Sequence, residues 1–234
     1  MNIDQVVLGL EPPELVSVGD ASVHCDILPG LQHLQLAAKR EGFDLKVVSG
    51  YRSFERQLAI WNAKASGKRA VFDDNARVLD VARCSATELM FAILRWSALP
   101  GGSRHHWGCD IDVVDANAVS GDYRVQLTVS ETQGDGPFAP MHAWLDRYFE
   151  DPNNTDFFRP YRVDRGGVAP EPWHLSHRVL SAALQKSLDP NGLQRLIAQT
   201  DILLKDQILH HFNDIFNRFV WVDWALYSGR GVKC

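Results

Sequence analysis

Ser103-Arg-His105-His-Trp-Gly108-Cys-Asp-Ile-Asp112 and, further along, Glu171-Pro-Trp-His174 decide how this chain is read. Ser49-Gly-Tyr-Arg52-Ser53 lies upstream of both. The first stretch supplies an imidazole and a carboxylate. The second supplies another imidazole, with an acid three residues before it. Two His and one Asp make a facial set of three ligands for a divalent metal. Such a set leaves a coordination position open for water, which separates catalytic zinc from structural zinc. Glu171 is then free to act as a base toward that water, whose pKa zinc lowers to about 7.

Each candidate has a competitor. The chain has 9 His, and a buried His is usually a hydrogen-bonded core residue. His106 adjoins His105, and in an extended stretch it faces the other way. His177 follows His174 by three residues and on a helix would share its face. Asp112 competes with Asp110 and Asp115. Ile111 and Val113 alternate with Asp110 and Asp112 as in a strand, which turns Asp112 away from an apolar face. Arg52 reads either as a structural ion pair or as a bidentate clamp for a carboxylate. Ser103 is divided between a loop hydrogen bond and a substrate contact. Gln57, on the helix after Arg52, is a further substrate-binding candidate. Trp107 and Trp173 read as packing that also excludes water, and His210-His211 as a solvated face.

The ordered pattern Ser-x-His-x-x-Gly-x-x-x-Asp, then Glu-x-Trp-His, resembles the zinc D-Ala-D-Ala carboxypeptidase and dipeptidase family, the VanY/VanX-like peptidases. The match runs from about residue 45 to 180. That family shares its metal-site fold with the Hedgehog signalling domain. The resemblance implies ligands at His105, Asp112 and His174, one Zn2+ per chain and a catalytic base at Glu171. It implies substrate-binding roles for Arg52 and Ser103, and a substrate drawn from peptidoglycan stem peptides or a D-Ala-D-Ala dipeptide. One departure is Asp110, where the family commonly has a small residue. The extra acid adds charge beside the ligands or alters substrate choice without displacing a ligand. Two other readings fit the same residues: an endolysin-like L-Ala-D-Glu endopeptidase, and a non-catalytic, zinc-binding interaction domain of the Hedgehog type. The absence of a wall-binding repeat weighs against the first, and the retained Glu171 against the second.

Length and composition fit one domain over residues 1–234, with a helical C-terminal extension from about 187. The expected class is α+β, with a small, mainly antiparallel sheet flanked by helices. A net charge of -5, from 24 Lys+Arg against 29 Asp+Glu, argues against a nucleic-acid partner. No stretch approaches the roughly 20 apolar residues that span a bilayer. No Lys or Arg precedes Lys39, and Val6–Leu10 is too short for the apolar core of a signal peptide, so a cytoplasmic address is expected, or a periplasmic one if a signal has been removed. Cys25, Cys84, Cys109 and Cys234 are scattered and read as free thiols.

Local signals place the motifs on elements. Leu31, Leu34 and Ala38 recur at helical spacing before Gly42. Leu45–Val48 reads as a strand entering the site. Ser53 and the Ser85–Glu88 capping box open helices. Residues 116–137 suggest loops with a short hairpin, His142–Glu150 a helix, and Tyr161–Val163 a strand feeding Glu171. Leu204, Ile208, Phe212, Ile215 and Phe219 form one apolar helical stripe.

Overall fold

The computed structural model describes residues 2–74 and 76–224. Helix α1 (Ile3–Val7) is capped by the Asn2 side chain and leads to Gly9, which turns the chain at φ +76°. A hairpin of β1 (Leu15–Val18) and β2 (Ala21–His24) follows. Helix α2 (Leu28–Arg40) buries Leu31, Leu34 and Ala38, the expected stripe, and Gly42 follows it at φ +90°.

Strand β3 (Leu45–Ser49) then runs to α3 (Phe54–Ala65), where the Ser53 hydroxyl accepts the Arg56 amide proton as an N-cap. Helix α4 (Ala86–Trp96) opens on the Ser85–Glu88 capping box, formed in both directions. Strand β4 (Asp110–Asp115) is the centre of the molecule. It is buried along its whole length, as a strand covered on both faces must be. Beyond it lie α5 (Val129–Thr132), α6 (Ala139–Tyr148), β5 (Phe157–Phe158) and β6 (His174–His177). The four longer-range strands form one antiparallel sheet in the order β3-β4-β6-β5. The molecule is therefore α+β with a small antiparallel sheet, as expected.

Three local expectations are corrected. Tyr161–Val163 is not a strand. The strand lies earlier, at β5, and the Tyr161 carbonyl instead accepts the Glu171 amide proton at 2.9 Å. Residues 116–137 form no hairpin among the described residues. Buried Glu131 organises them, accepting the Gln126 amide proton at 3.0 Å and the Tyr123 hydroxyl at 2.8 Å. The C-terminal apolar stripe is not one helix. After α7 (Arg178–Lys186) and α8 (Pro190–Gln199), Leu204 takes φ +64°. The stripe is then divided among α9 (Lys205–His210), α10 (Phe212–Ile215) and a π-helical turn over Phe216–Val220. Ile208, Phe212, Ile215 and Phe219 are nonetheless buried.

These C-terminal helices brace the wall behind the site. Trp61 donates its indole N–H to the Leu203 carbonyl at 2.9 Å, and Gln185 donates to the Val222 carbonyl at 2.8 Å. His210 is exposed, while His211 packs on the Phe91 ring at 5.4 Å. Cys25, Cys84 and Cys109 are free thiols, and Cys234 lies outside the described residues. Among the described residues no helix is long and apolar enough to cross a membrane.

Gly9 shows how tightly α1 sits on the site loop. A Cβ there would lie 2.4 Å from the His106 ring, on a backbone already at φ +76°. Gly9→Ala should destabilise the protein by about 2 kcal/mol or more. Gly19→Ala, with nothing within 4 Å of the added Cβ at φ +58°, should cost only about 1 kcal/mol. Guanidinium unfolding of the two variants checks the difference.

Candidate active site

Register brings the site together. Across β4 and β6, Asp112 pairs with His174 and Asp110 with Ser176. Across β3 and β4, Asp112 pairs with Ser49 after a bulge that follows Val47. His105 arrives from a single 3-10 turn, Arg104–Trp107, closed by Gly108 at φ +67°. A non-glycine residue resists that conformation.

Each imidazole is held by the nitrogen facing away from the centre. His105 Nδ1 donates to the Gly50 carbonyl at 2.8 Å, which leaves Nε2 facing Asp112 Oδ2 at 3.5 Å. His174 Nε2 donates to Asp110 Oδ1 at 2.9 Å, which leaves Nδ1 at 3.2 Å from Asp112 Oδ1. The two rings stand nearly perpendicular, 80° apart with centroids at 4.9 Å. All three ligand atoms lie within 4.8 Å of one another.

This donor set fits zinc. Bonds of about 2.0–2.2 Å at tetrahedral angles put ligand atoms roughly 3.3–3.6 Å apart, close to the separations seen. Asp112 Oδ1 is buried and forms no well-aligned hydrogen bond, although His174 Nδ1 stands 3.2 Å away, and a cation between the two would satisfy both. Two imidazoles fixed through their outer nitrogens and one carboxylate are the arrangement zinc takes in catalytic sites. Burial pushes His105 down to about 4, against the pull of Asp112, so its ring is neutral near pH 7 and able to ligate. His174 goes the other way. Burial opposes its charge, but the Asp110 and Asp112 carboxylates beside its two nitrogens push it up to about 10. A metal at Nδ1 must therefore displace a tightly held proton.

Asp110 has a definite place: it is the acceptor that orients His174. It is fully buried, and four donors hold it, one of them the Cys109 thiol at 3.4 Å from Oδ2. Arg104 Nε lies at 2.8 Å from Oδ1 and the Ser176 hydroxyl at 3.0 Å from Oδ2, with His174 completing the set. Burial alone would raise its carboxyl, but the Arg104 charge and the His174 bond hold it well below the usual carboxylate range. Arg104 spends its other donors on Gln185 at 2.9 Å and Ser176 at 2.7 Å, and lies 4.7 Å over the Trp107 ring. Trp107 thus carries the guanidinium as well as filling space.

Glu171 stands beside the ligands, with Oε2 at 3.6 Å from His174 Nδ1. Burial pushes its carboxyl up to about 7. Asp112 adds to this, while His174, Arg52 and Lys64 oppose it. Arg52 is fixed by its backbone, donating to the His105 carbonyl at 3.0 Å and accepting from His106 Nδ1 at 2.6 Å. Its guanidinium donates to Gln57 Oε1 at 2.8 Å and Ser49 Oγ at 3.3 Å.

Gln57 is fully buried and donates its own amide to the Ala98 carbonyl at 2.6 Å, so the structure places it behind Arg52 rather than on the open face. Ser103 is buried, and its hydroxyl has no partner among the described residues. His106 is a strut: besides its bond to Arg52, its Nε2 accepts the Gly101 amide proton at 3.1 Å. His177 caps α7, accepting the Leu180 amide proton at 3.3 Å. Neither joins the three-ligand group. Arg104 is a site residue that the sequence reading passed over, as it did buried Lys64, which lies within electrostatic reach of Glu171. Arg104 had one available signal, a base lying inside a stretch whose neighbours are all needed for ligation or packing.

A family model described as VanY, D-alanyl-D-alanine carboxypeptidase, matches residues 20–179. The chain belongs to the VanY D-alanyl-D-alanine carboxypeptidase family. A D-alanyl-D-alanine carboxypeptidase of Enterococcus faecalis is 31% identical over 160 residues, covering 67% of this chain and 48% of that protein. Putative carboxypeptidase YodJ of Bacillus subtilis is 29% identical over 163 residues, covering 67% and 46%. A Haemophilus influenzae protein of uncharacterised activity is 47% identical over 68 residues, covering 29% and 47%. The chain thus spans about half the length of these relatives.

The fold is that of VanY-type peptidases. VanYB in complex with D-alanine-D-alanine superposes with a TM-score of 0.52 at 22% identity, over 82% of this chain and 91% of that one. A VanY D,D-pentapeptidase variant from a VanB-type cassette, in complex with Zn(II), gives 0.51 at 24% identity, over 84% and 89%.

The raised Glu171 pKa has a consequence for stability once metal is removed. Its folded value of about 7 lies above the ordinary 4.5. The neutral acid is accommodated at low pH, and stability is lost as pH rises from about 4.5 through 7. In chelator, Glu171→Gln should therefore exceed wild type at pH 8 by on the order of 1–3 kcal/mol, with the gap closing at pH 4. Denaturant unfolding at the two pH values measures it.

Proposed function

We propose that this chain is a zinc-dependent carboxypeptidase that removes the last residue of a D-Ala-D-Ala-type peptide. The observation that carries the reading is Glu171 at 3.6 Å from His174 Nδ1, an acid poised beside a complete three-ligand group. His105, Asp112 and His174 would hold the zinc, which when bound supplies a Lewis acid for the scissile carbonyl and acidifies water.

Glu171 is the group that moves protons. With its carboxyl near 7 it is ready both to take a proton from water and to return one to the departing amine. Water adds to the carbonyl carbon, the C–N bond breaks, and the proton accepted by Glu171 ends on the released amino group. Arg52 fixes the substrate end. Held by Gln57 and Ser49, its planar fork is oriented in advance for a terminal carboxylate, which supports exopeptidase rather than endopeptidase action. Ser103, two residues before His105 and with an unpartnered buried hydroxyl, is a candidate donor to a substrate carbonyl.

Three experiments test this. Wild type should hold about one zinc per chain by elemental analysis, and His105→Ala and His174→Ala should lose nearly all of it. Glu171→Ala should keep its zinc yet lose about 10²–10⁴-fold in kcat. Retained hydrolysis in that variant would remove Glu171 from the mechanism. For Arg52, a D-Ala-terminated peptide is compared with its C-terminal amide. Wild type should strongly favour the free acid. Arg52→Lys, which keeps the charge but loses the fork, should give up most of that preference. Equal cleavage of acid and amide by wild type would refute the anchor.

A further inference from the structure

Helix α3 buries one stripe, made of Phe54, Gln57, Trp61 and Lys64. Three of the four have an evident task. Phe54 packs, Gln57 grips Arg52, and Trp61 ties the helix to the Leu203 carbonyl. Lys64 has none. It is only 6% exposed, yet its ammonium makes no hydrogen bond or ion pair among the described residues.

A sequestered ammonium without a partner is costly. Burial pushes Lys64 down to about 8, and the nearby charges of Arg69 and Arg52 push the same way while Glu171 opposes them. Lys64 therefore lies within electrostatic reach of both Arg52 and Glu171. Glu171 is not its partner, since no ion pair forms within 4.0 Å. The ammonium is also not among the fully enclosed side-chain atoms that lack partners, so it keeps some exposure.

We propose that Lys64 is a second carboxylate anchor, recognising an acidic side chain on the third residue from the free C-terminus of the substrate. The proposal rests on the carboxypeptidase reading and narrows its substrate class to peptides carrying a dicarboxylic residue at that position. Spacing sets the position. Gln57, which holds Arg52, and Lys64 are seven residues apart on one helix face, or about 10 Å. An extended peptide advances about 3.3 Å per residue, so the same span is about three residues. With Arg52 on the terminal carboxylate, Lys64 stands opposite the third residue. Lys suits this task, because a flexible stem with a point charge tolerates several geometries of acid, whereas the Arg52 fork demands one.

The test uses the zinc-loaded full chain and two peptides, Nα-acetyl-L-Glu-D-Ala-D-Ala and its L-Gln counterpart. Wild type should show kcat/KM at least about tenfold higher on the Glu peptide. Lys64→Met should bring the two rates together, and Lys64→Arg should preserve the preference. Equal rates in wild type would overturn the proposal. So would a preference that survives in Lys64→Met, or a loss in that variant that is equal for both peptides, since that would make Lys64 only a neighbour of Glu171. If Lys64→Met does not fold, the wild-type comparison still decides. If wild type hydrolyses neither peptide, the carboxypeptidase reading fails by itself. Calorimetric binding of the same two peptides to wild type then decides: tighter binding of the Glu peptide supports the anchor, and equal binding overturns it.

Discussion

Asp110 carries a charge that water does not reach, and the site is arranged around satisfying it. Burying an ion pair gains little net stability, because desolvation offsets the attraction, but breaking one from a single side costs about 3–5 kcal/mol. Asp110 is therefore demanding. It needs Arg104, the Ser176 hydroxyl and His174 Nε2 together. Meeting that demand fixes the His174 ring and its tautomer, which leaves Nδ1 facing His105 and Asp112. An acid that sits outside the ligand group thus decides which atom His174 contributes to it.

The demand passes further out through Arg104. A fully buried guanidinium must place its remaining donors, and it does so on Gln185 and Ser176. Gln185 in turn exchanges hydrogen bonds with the backbone of Val222. The wall opposite is built in the same manner, since Trp61 and Asn62 on α3 bind the backbone of Leu203. The sheet alone would bring Asp112 to His174 by register. The helices beyond residue 187 steady the Arg104 network on one side and the Arg52–Gln57 wall on the other.

The candidate ligands stood out in the sequence because ligation tolerates few residue types and strand alternation separates Asp112 from Ile111, and the fold brings their ligand atoms within 4.8 Å of one another. The Ser85–Glu88 box and the Ser53 cap were legible for the same reason, since each is a local bond between neighbours. What escaped depends on distant partners. Arg104 looks like any surface base until Asp110, Ser176 and Gln185 close around it. Gln57 was read as a substrate contact because nothing local shows that the Ala98 carbonyl takes its amide. Tyr161–Val163 has a strand's composition, but β6 is only four residues long and β5 already pairs with its end at Phe157–Phe158. The final stripe had a helical period throughout, and only the backbone at Leu204 reveals the break.

The tie between Arg104 and the C-terminal segment also bears on how the protein is made. A ribosome delivers His105, Asp112, Glu171 and His174 well before Gln185, and Gln185 well before Val222. A nascent chain that has just released His174 has all its reactive side chains, but the Arg104 guanidinium still lacks its Gln185 acceptor, and Trp61 still lacks the Leu203 carbonyl. Asp110 cannot be closed off from water in that state. The surroundings of Asp110 are thus complete only after the segment through Val222 has been made and has docked on Gln185.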